Sequence, residues 1–205
     1  MGHSQLCGRG CALRVITLTL SVVATAVGVT ACASEPPTRL DETNAVSFFR
    51  PTATVEDIMR WMVDPAADAV WDAVVTVGTV NGIETTQPET DDDWRDLRRH
   101  AVTLVEATNL LLIDGRRVAG TESHSALPGI DLEPEEIELL VADDRETWTR
   151  LVHELHDAGV GVLDAVAATD VDGLLVAGDR LDLACENCHS VYWYPGYGGR
   201  PDDVP

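Results

Sequence analysis

Near its C-terminus the chain reads Ala184-Cys-Glu-Asn-Cys-His-Ser-Val-Tyr-Trp-Tyr-Pro195, and three of these side chains have types and spacing that can do chemistry. Cys185, Cys188 and His189 form the C-x-x-C-H pattern of covalent c-type haem attachment. On a helix, positions i, i+3 and i+4 share one face. Two thiols on that face can add across the two vinyl groups of a haem, and an imidazole one residue further can reach the iron. Two other chemistries compete. A disulfide across C-x-x-C is strained and normally sits at a helix start, whereas this pair is expected near a helix end. Zinc needs two further ligands, and outside the leader segment the sequence has no second Cys pair.

The remaining cysteines set the compartment. Cys7 and Cys11 lie in a segment with Arg9 and Arg14, followed by the apolar run Val15 to Val29. That run is short for a membrane-spanning helix and has the length of a signal-peptide core. It ends Val29-Thr30-Ala31-Cys32, which resembles a bacterial lipobox. Residues 1–31 are therefore expected to be a lipoprotein signal peptide, with Cys32 lipidated as the new N-terminus. The protein would then lie in the periplasm, anchored to a bacterial membrane. Residues 32–53, with Pro36, Pro37 and Pro51, suit a flexible tether. Only Cys185 and Cys188 are then left in the folded body.

Charge limits the partners. All 14 basic residues are Arg, against 35 Asp plus Glu. Removal of the signal peptide would leave 12 Arg against 35 acids, a formal charge of −23. Such a chain is repelled by phosphate backbones, so nucleic acid is excluded as a partner. The acidity is that of a solvated surface; read functionally, it offers a docking face to a basic redox protein.

These residues need elements to hold them. Thr54 and Asp57 form a capping-box-like start to a first helix carrying Val55, Ile58, Met59 and Met62. Asp64-Pro65 interrupts it, and a kink or restart is expected before Val70, Trp71, Val74 and Val75, with Asn81-Gly82 ending the stretch. A second helix is expected from Asp91 to Leu112, stopped by Asp114-Gly115. Residues 116–134 read as a long loop, either a crossing connection or a lid. A short helix follows over 135–142. A third long helix, capped by Asp143 or Asp144, carries Trp148, Leu151, Val152, Leu155, Val162 and Val166. The fourth starts after Asp170 and carries Leu174, Ala177, Leu181, Cys185, Cys188 and Tyr192. No convincing two-residue alternation appears, so the expected class is all-α, an antiparallel four-helix bundle over 54–195, with 196–205 as a C-terminal tail.

A four-helix bundle with C-x-x-C-H near the end of its last helix resembles the cytochrome c-prime family, in particular its low-spin branch. The resemblance covers roughly 54–194 and rests on Cys185, Cys188, His189 and Tyr192. It implies one covalent haem c, with Cys185 and Cys188 as thioether links and His189 as the proximal iron ligand. It also implies a methionine of the first helix as the distal ligand: Met59, or alternatively Met62, which sits just before the Pro65 interruption. Relatives often pair their first two helices, which implies a homodimer. Where members often carry a basic residue after the Tyr, this chain has Trp193. The smooth first helix of typical members is here broken by Asp64-Pro65.

Other side chains read as structural. His100, His153 and His156 on helices, and His124 in the loop, are expected at the surface or with satisfied partners. Trp61, Trp71, Trp94, Trp148 and Trp193 are expected to pack the bundle and the haem edge. Arg60, Arg98 or Arg99 could pair with haem propionates. No nucleophile–base pattern, phosphate loop or metal-hydrolase motif is present, so the expected protein is not an enzyme. It is expected to be a membrane-anchored electron carrier with His/Met ligation. The alternatives are a haem protein binding NO or CO at an open distal side, and a lipid-anchored structural module with a Cys185–Cys188 disulfide.

Overall fold

The first helix begins where a hydroxyl meets a carboxylate three residues on. In the computed structural model, which describes residues 48–196, the Thr54 hydroxyl accepts from the Asp57 amide at 3.0 Å. The Asp57 carboxylate accepts from the Thr54 amide at 2.9 Å, closing the capping box. Helix α1 (Val55–Ile58) then passes into a π-helical turn, Met59–Val63, and out again into α2 (Asp64–Trp71). The Asp64 amide donates to the Met59 carbonyl, five residues back. Pro65 follows in the first turn of α2, where its missing N–H is tolerated. The interruption expected at Asp64-Pro65 is thus a widened turn within one continuous run.

The chain next departs from the all-α expectation. Helix α2 ends at Trp71, so Val74 and Val75 lie outside it. Val75–Thr79 and Gly82–Thr86 form an antiparallel hairpin, β1 and β2, with Val77 opposite Glu84. Val80 and Asn81 make the turn, and Gly82 takes a φ of 129° that a side chain would resist. The protein is mostly helical with a small two-stranded sheet.

Beyond the hairpin the expected elements appear. Thr90 and Asp93 close a second capping box on α3 (Asp91–Leu111). Helix α4 (Pro134–Asp143) follows a long loop, and Asp144 caps α5 (Arg145–Ala168). Thr169 adopts a left-handed conformation, φ 50°, and Asp170 at once caps α6 (Val171–Tyr192). This two-residue reversal holds α5 and α6 side by side. Helix α3 packs on α5, α5 on α6, and α2 on both α3 and α6. Leu104, Leu111, Val162, Leu174 and Leu181 fill the interior between them. The described residues fall in one compact unit of the chain. Among them, no helix is long and apolar enough to cross a membrane. Cys7, Cys11, Cys32 and the whole signal and tether up to residue 47 lie outside the described residues, as does the tail from 197.

Candidate functional site

Cys185, Cys188 and His189 occupy the last two turns of α6. Cys188 lies in the buried core with Ala184 and Tyr192, and Cys185 is half-buried beside it. Their thiols are free. Burial pushes Cys185 up to about 11, with the carboxylates of Asp182, Glu186 and Asp64 adding to the effect. Burial likewise pushes Cys188 up to about 12, with Cys185 and Glu154 of α5 contributing. Both groups are therefore protonated thiols at neutral pH.

His189 is half-buried, and desolvation holds its pKa below the usual histidine value against the pull of Glu186 and Asp64. The neutral imidazole this favours keeps a nitrogen lone pair for a metal. Its ring is walled by the residues that follow it. Trp193 meets it edge-to-face at 5.0 Å, and Tyr194 does so at 6.0 Å. The chain is turned back to do this, because the amides of Trp193 and Tyr194 both donate to the His189 carbonyl, at 2.8 and 3.0 Å. The Tyr194 hydroxyl then donates to the two Glu186 carboxylate oxygens at 2.9 and 3.0 Å. Tyr192 meets Trp148 edge-to-face at 5.2 Å, its hydroxyl donating to the Asp144 carbonyl at 3.3 Å.

The register of α2 against α6 locates the methionines. Trp71 Nε1 donates to the Gly178 carbonyl at 3.2 Å. Asp64 and Cys185 stand equally far from that pair along their own helices, in opposite directions, and the Asp64 charge acts on Cys185. The two helices are therefore antiparallel in this register. Carried on, it puts the Met59–Met62 turn level with the last turns of α6. Both methionines are half-buried and packed against the core.

The donor chemistry fits a covalent haem: two free protonated thiols a turn apart, a neutral imidazole beside them, and a thioether at the same level on the antiparallel neighbour. The packing imposes a condition. A groove along α5 is lined by Arg145, Arg150, His153 and Glu154, and a smaller cavity of about 190 Å³ lies between α2 and α6 at Val70, Trp71 and Gly178. Neither is lined by Cys185, Cys188 or His189, and Cys188 is buried among core side chains, so a porphyrin bonded to it would have to displace packed groups. Among the described residues, no three His, Cys, Asp or Glu side chains converge as a metal cage.

The other expected residues are dispersed. His153 and His124 are exposed, with His124 Nδ1 3.7 Å from Glu133; His156 Nδ1 lies 3.5 Å from Asp157, and His100 is half-buried. Arg60 pairs with Glu56 at 3.0 Å and Arg99 with Asp96 at 2.7 Å, while Arg98 is exposed. Trp148 is buried and Trp94 half-buried, but Trp61 is 71% exposed and does not pack the interior, because the widened turn carries it outward. The loop of residues 112–133 is a crossing connection. It braces the start of α1, where the Val55 and Glu56 amides donate to Arg117 and Val118 carbonyls, and it meets Trp193 through the Leu132 amide. Sequence spacing does not reveal the Tyr194–Glu186 pair; its one signal is the aromatic run Tyr192-Trp193-Tyr194 shortly after His189. No protein-family model and no characterised protein matches the sequence.

Proposed function

We propose that this protein is a c-type cytochrome, a four-helix bundle of the cytochrome c-prime kind that carries one covalent haem and passes electrons in the periplasm, held to a membrane through lipid on Cys32. The helical run 55–71, α3, α5 and α6 are the four bundle helices, with the hairpin and α4 as additions. Cys185 and Cys188 would hold the haem through thioethers, His189 would bind the iron from one side, and Met59, with Met62 as alternative, from the other. The observation carrying this reading is the grouping on α6 of two free thiols and a neutral imidazole, level with two methionines on the antiparallel neighbour.

A haem so held supplies one-electron chemistry between ferrous and ferric iron. The protein's own part is positional. Trp193 and Tyr194 wall the His189 ring on one side, and Tyr194 ties down Glu186. A carboxylate beside a ligating imidazole raises its basicity, so this tie sets how strongly Glu186 acts on His189. The acidic surface suits a basic redox partner.

Both methionines already pack against the core, which favours a second reading in which neither binds iron and the open distal side takes NO or CO. The deciding experiment for haem itself is acid–acetone extraction of protein made in a host with haem-maturation machinery. Wild-type protein should keep its haem, and Cys185→Ala with Cys188→Ala should lose it. Haem that extracts freely from the wild type would sink the proposal.

A further inference from the structure

The hairpin is the part of the fold that the core does not use. Of residues 75–86 only Thr79 is even half-buried. Val77 is 48% exposed, Ile83 80%, and Val80 wholly so. Among the described residues each strand bonds only the other, so each leaves one edge of backbone N–H and C=O groups open. A lone two-stranded hairpin is marginal in water, and an open edge is a template for another strand.

Charge indicates which strand. Residues 73–88 carry one charged side chain, Glu84, in a chain with 14 Arg and 35 acids. Two copies of so acidic a chain repel each other across most of their surface, and least at this uncharged stretch. An edge strand meeting its own copy antiparallel is self-complementary about a two-fold axis. Pairing β2 with itself would set two Glu84 carboxylates close together, which is unfavourable; β1, Val75-Thr-Val-Gly-Thr79, has no charge to oppose. We propose that the free edge of β1 pairs antiparallel with β1 of a second copy, making a four-stranded sheet in the order β2-β1-β1-β2 and a two-fold dimer. Val75, Val77 and Thr79 of the two copies then line one face together. This inference is independent of the haem reading.

Sedimentation of the full chain carrying Cys32→Ser, so that no acyl group can bring copies together, should show a monomer–dimer equilibrium. The dimer should strengthen with salt, which screens repulsion between the copies. Val77→Glu places like charges at the centre of the shared edge and should weaken dimerisation about tenfold or more, with helical circular dichroism unchanged. Replacing residues 75–86 by a Gly-Ser loop should give a monomer of the same helicity, and this arm decides the matter should Val77→Glu misfold. A chain monomeric at all concentrations and salts, or a dimer that survives both changes, overturns the proposal.

Discussion

Met59 opens the π turn and Met62 lies within it, and this separates them. A π turn takes in more residues than an α turn, so side chains three apart diverge further around the axis than they would in a regular helix. Single π turns are frequent at functional sites, where they re-aim a side chain. Under the proposed ligation by Met59, Met59→Ala should turn the ferric spectrum high-spin and admit CO on reduction, while Met62→Ala should leave the spin state alone. A spin change in Met62→Ala alone would move the ligand within the turn; none in either would favour the open-site reading. The thiols give a second test, in protein without haem. The unfolded chain loses their protons near the ordinary value of 9.0, whereas the folded chain holds them to about 11 at Cys185 and about 12 at Cys188. The stability they lend is thus whole below about pH 9 and lost as pH rises through 11 to 12. Tyr192 and Tyr194 are raised too, but they are common to wild type and variant. Urea midpoints should fall more steeply across that window in wild type than in Cys185→Ala/Cys188→Ala; equal slopes would refute it. At this scale the C-x-x-C-H group was legible because its spacing is local. The clasp of Tyr194 on Glu186 was not, because it depends on the chain folding back beyond the helix.

Among elements, the caps were the most legible features. Thr54, Asp144 and Asp170 each carry their start signal in the side chain itself. The hairpin is not legible in this way. Val74-Val-Thr-Val-Gly-Thr-Val80 is a β-branched run that suits a strand, but its two faces are both solvated. Burial therefore imposes no apolar–polar alternation, and the usual period-two signal is missing. Two glycines of α5 show a similar limit, since sequence alone does not distinguish them. A Cβ at Gly159 would lie 2.9 Å from Val105 Cγ2 and 3.5 Å from Leu104 Cγ, so this glycine sets the close approach of α5 to α3. At Gly161 no atom lies within 4 Å of the added carbon. Gly159→Val should destabilise by about 1–3 kcal/mol through overpacking. Gly161→Ala should stabilise by about 1 kcal/mol through helix propensity. Denaturant unfolding of the two variants reads both signs, and a stabilised Gly159→Val would mean that α3 and α5 are not tightly apposed there.

For the whole molecule, the question is where the packing can open. Helices α3, α5 and α6 form the broad part of the interior, with Leu104, Val162 and Leu181 fully buried between them. The buried face of α2 is made of small residues, Ala66, Ala67 and Val70, and Gly178 of α6 lies against Val70 and Trp71, where an added Cβ would stand 3.4 Å from Trp71 Cδ1. Small side chains make few dispersion contacts, so this seam costs least to part. It is also the seam at whose far end the Asp64 charge acts on Cys185, while the Trp71–Gly178 hydrogen bond ties its near end. Making room for a porphyrin should therefore move the Met59–Val63 turn away from the end of α6, leaving α3 and α5 in place. Hydrogen exchange of protein with and without haem should differ in the π turn and in the last turns of α6. Amides of α3 and α5 should exchange slowly in both forms, because their partners do not change. If α3 and α5 are altered as strongly as the π turn, the core itself has been rebuilt, and the seam between α2 and α6 is not where the haem enters.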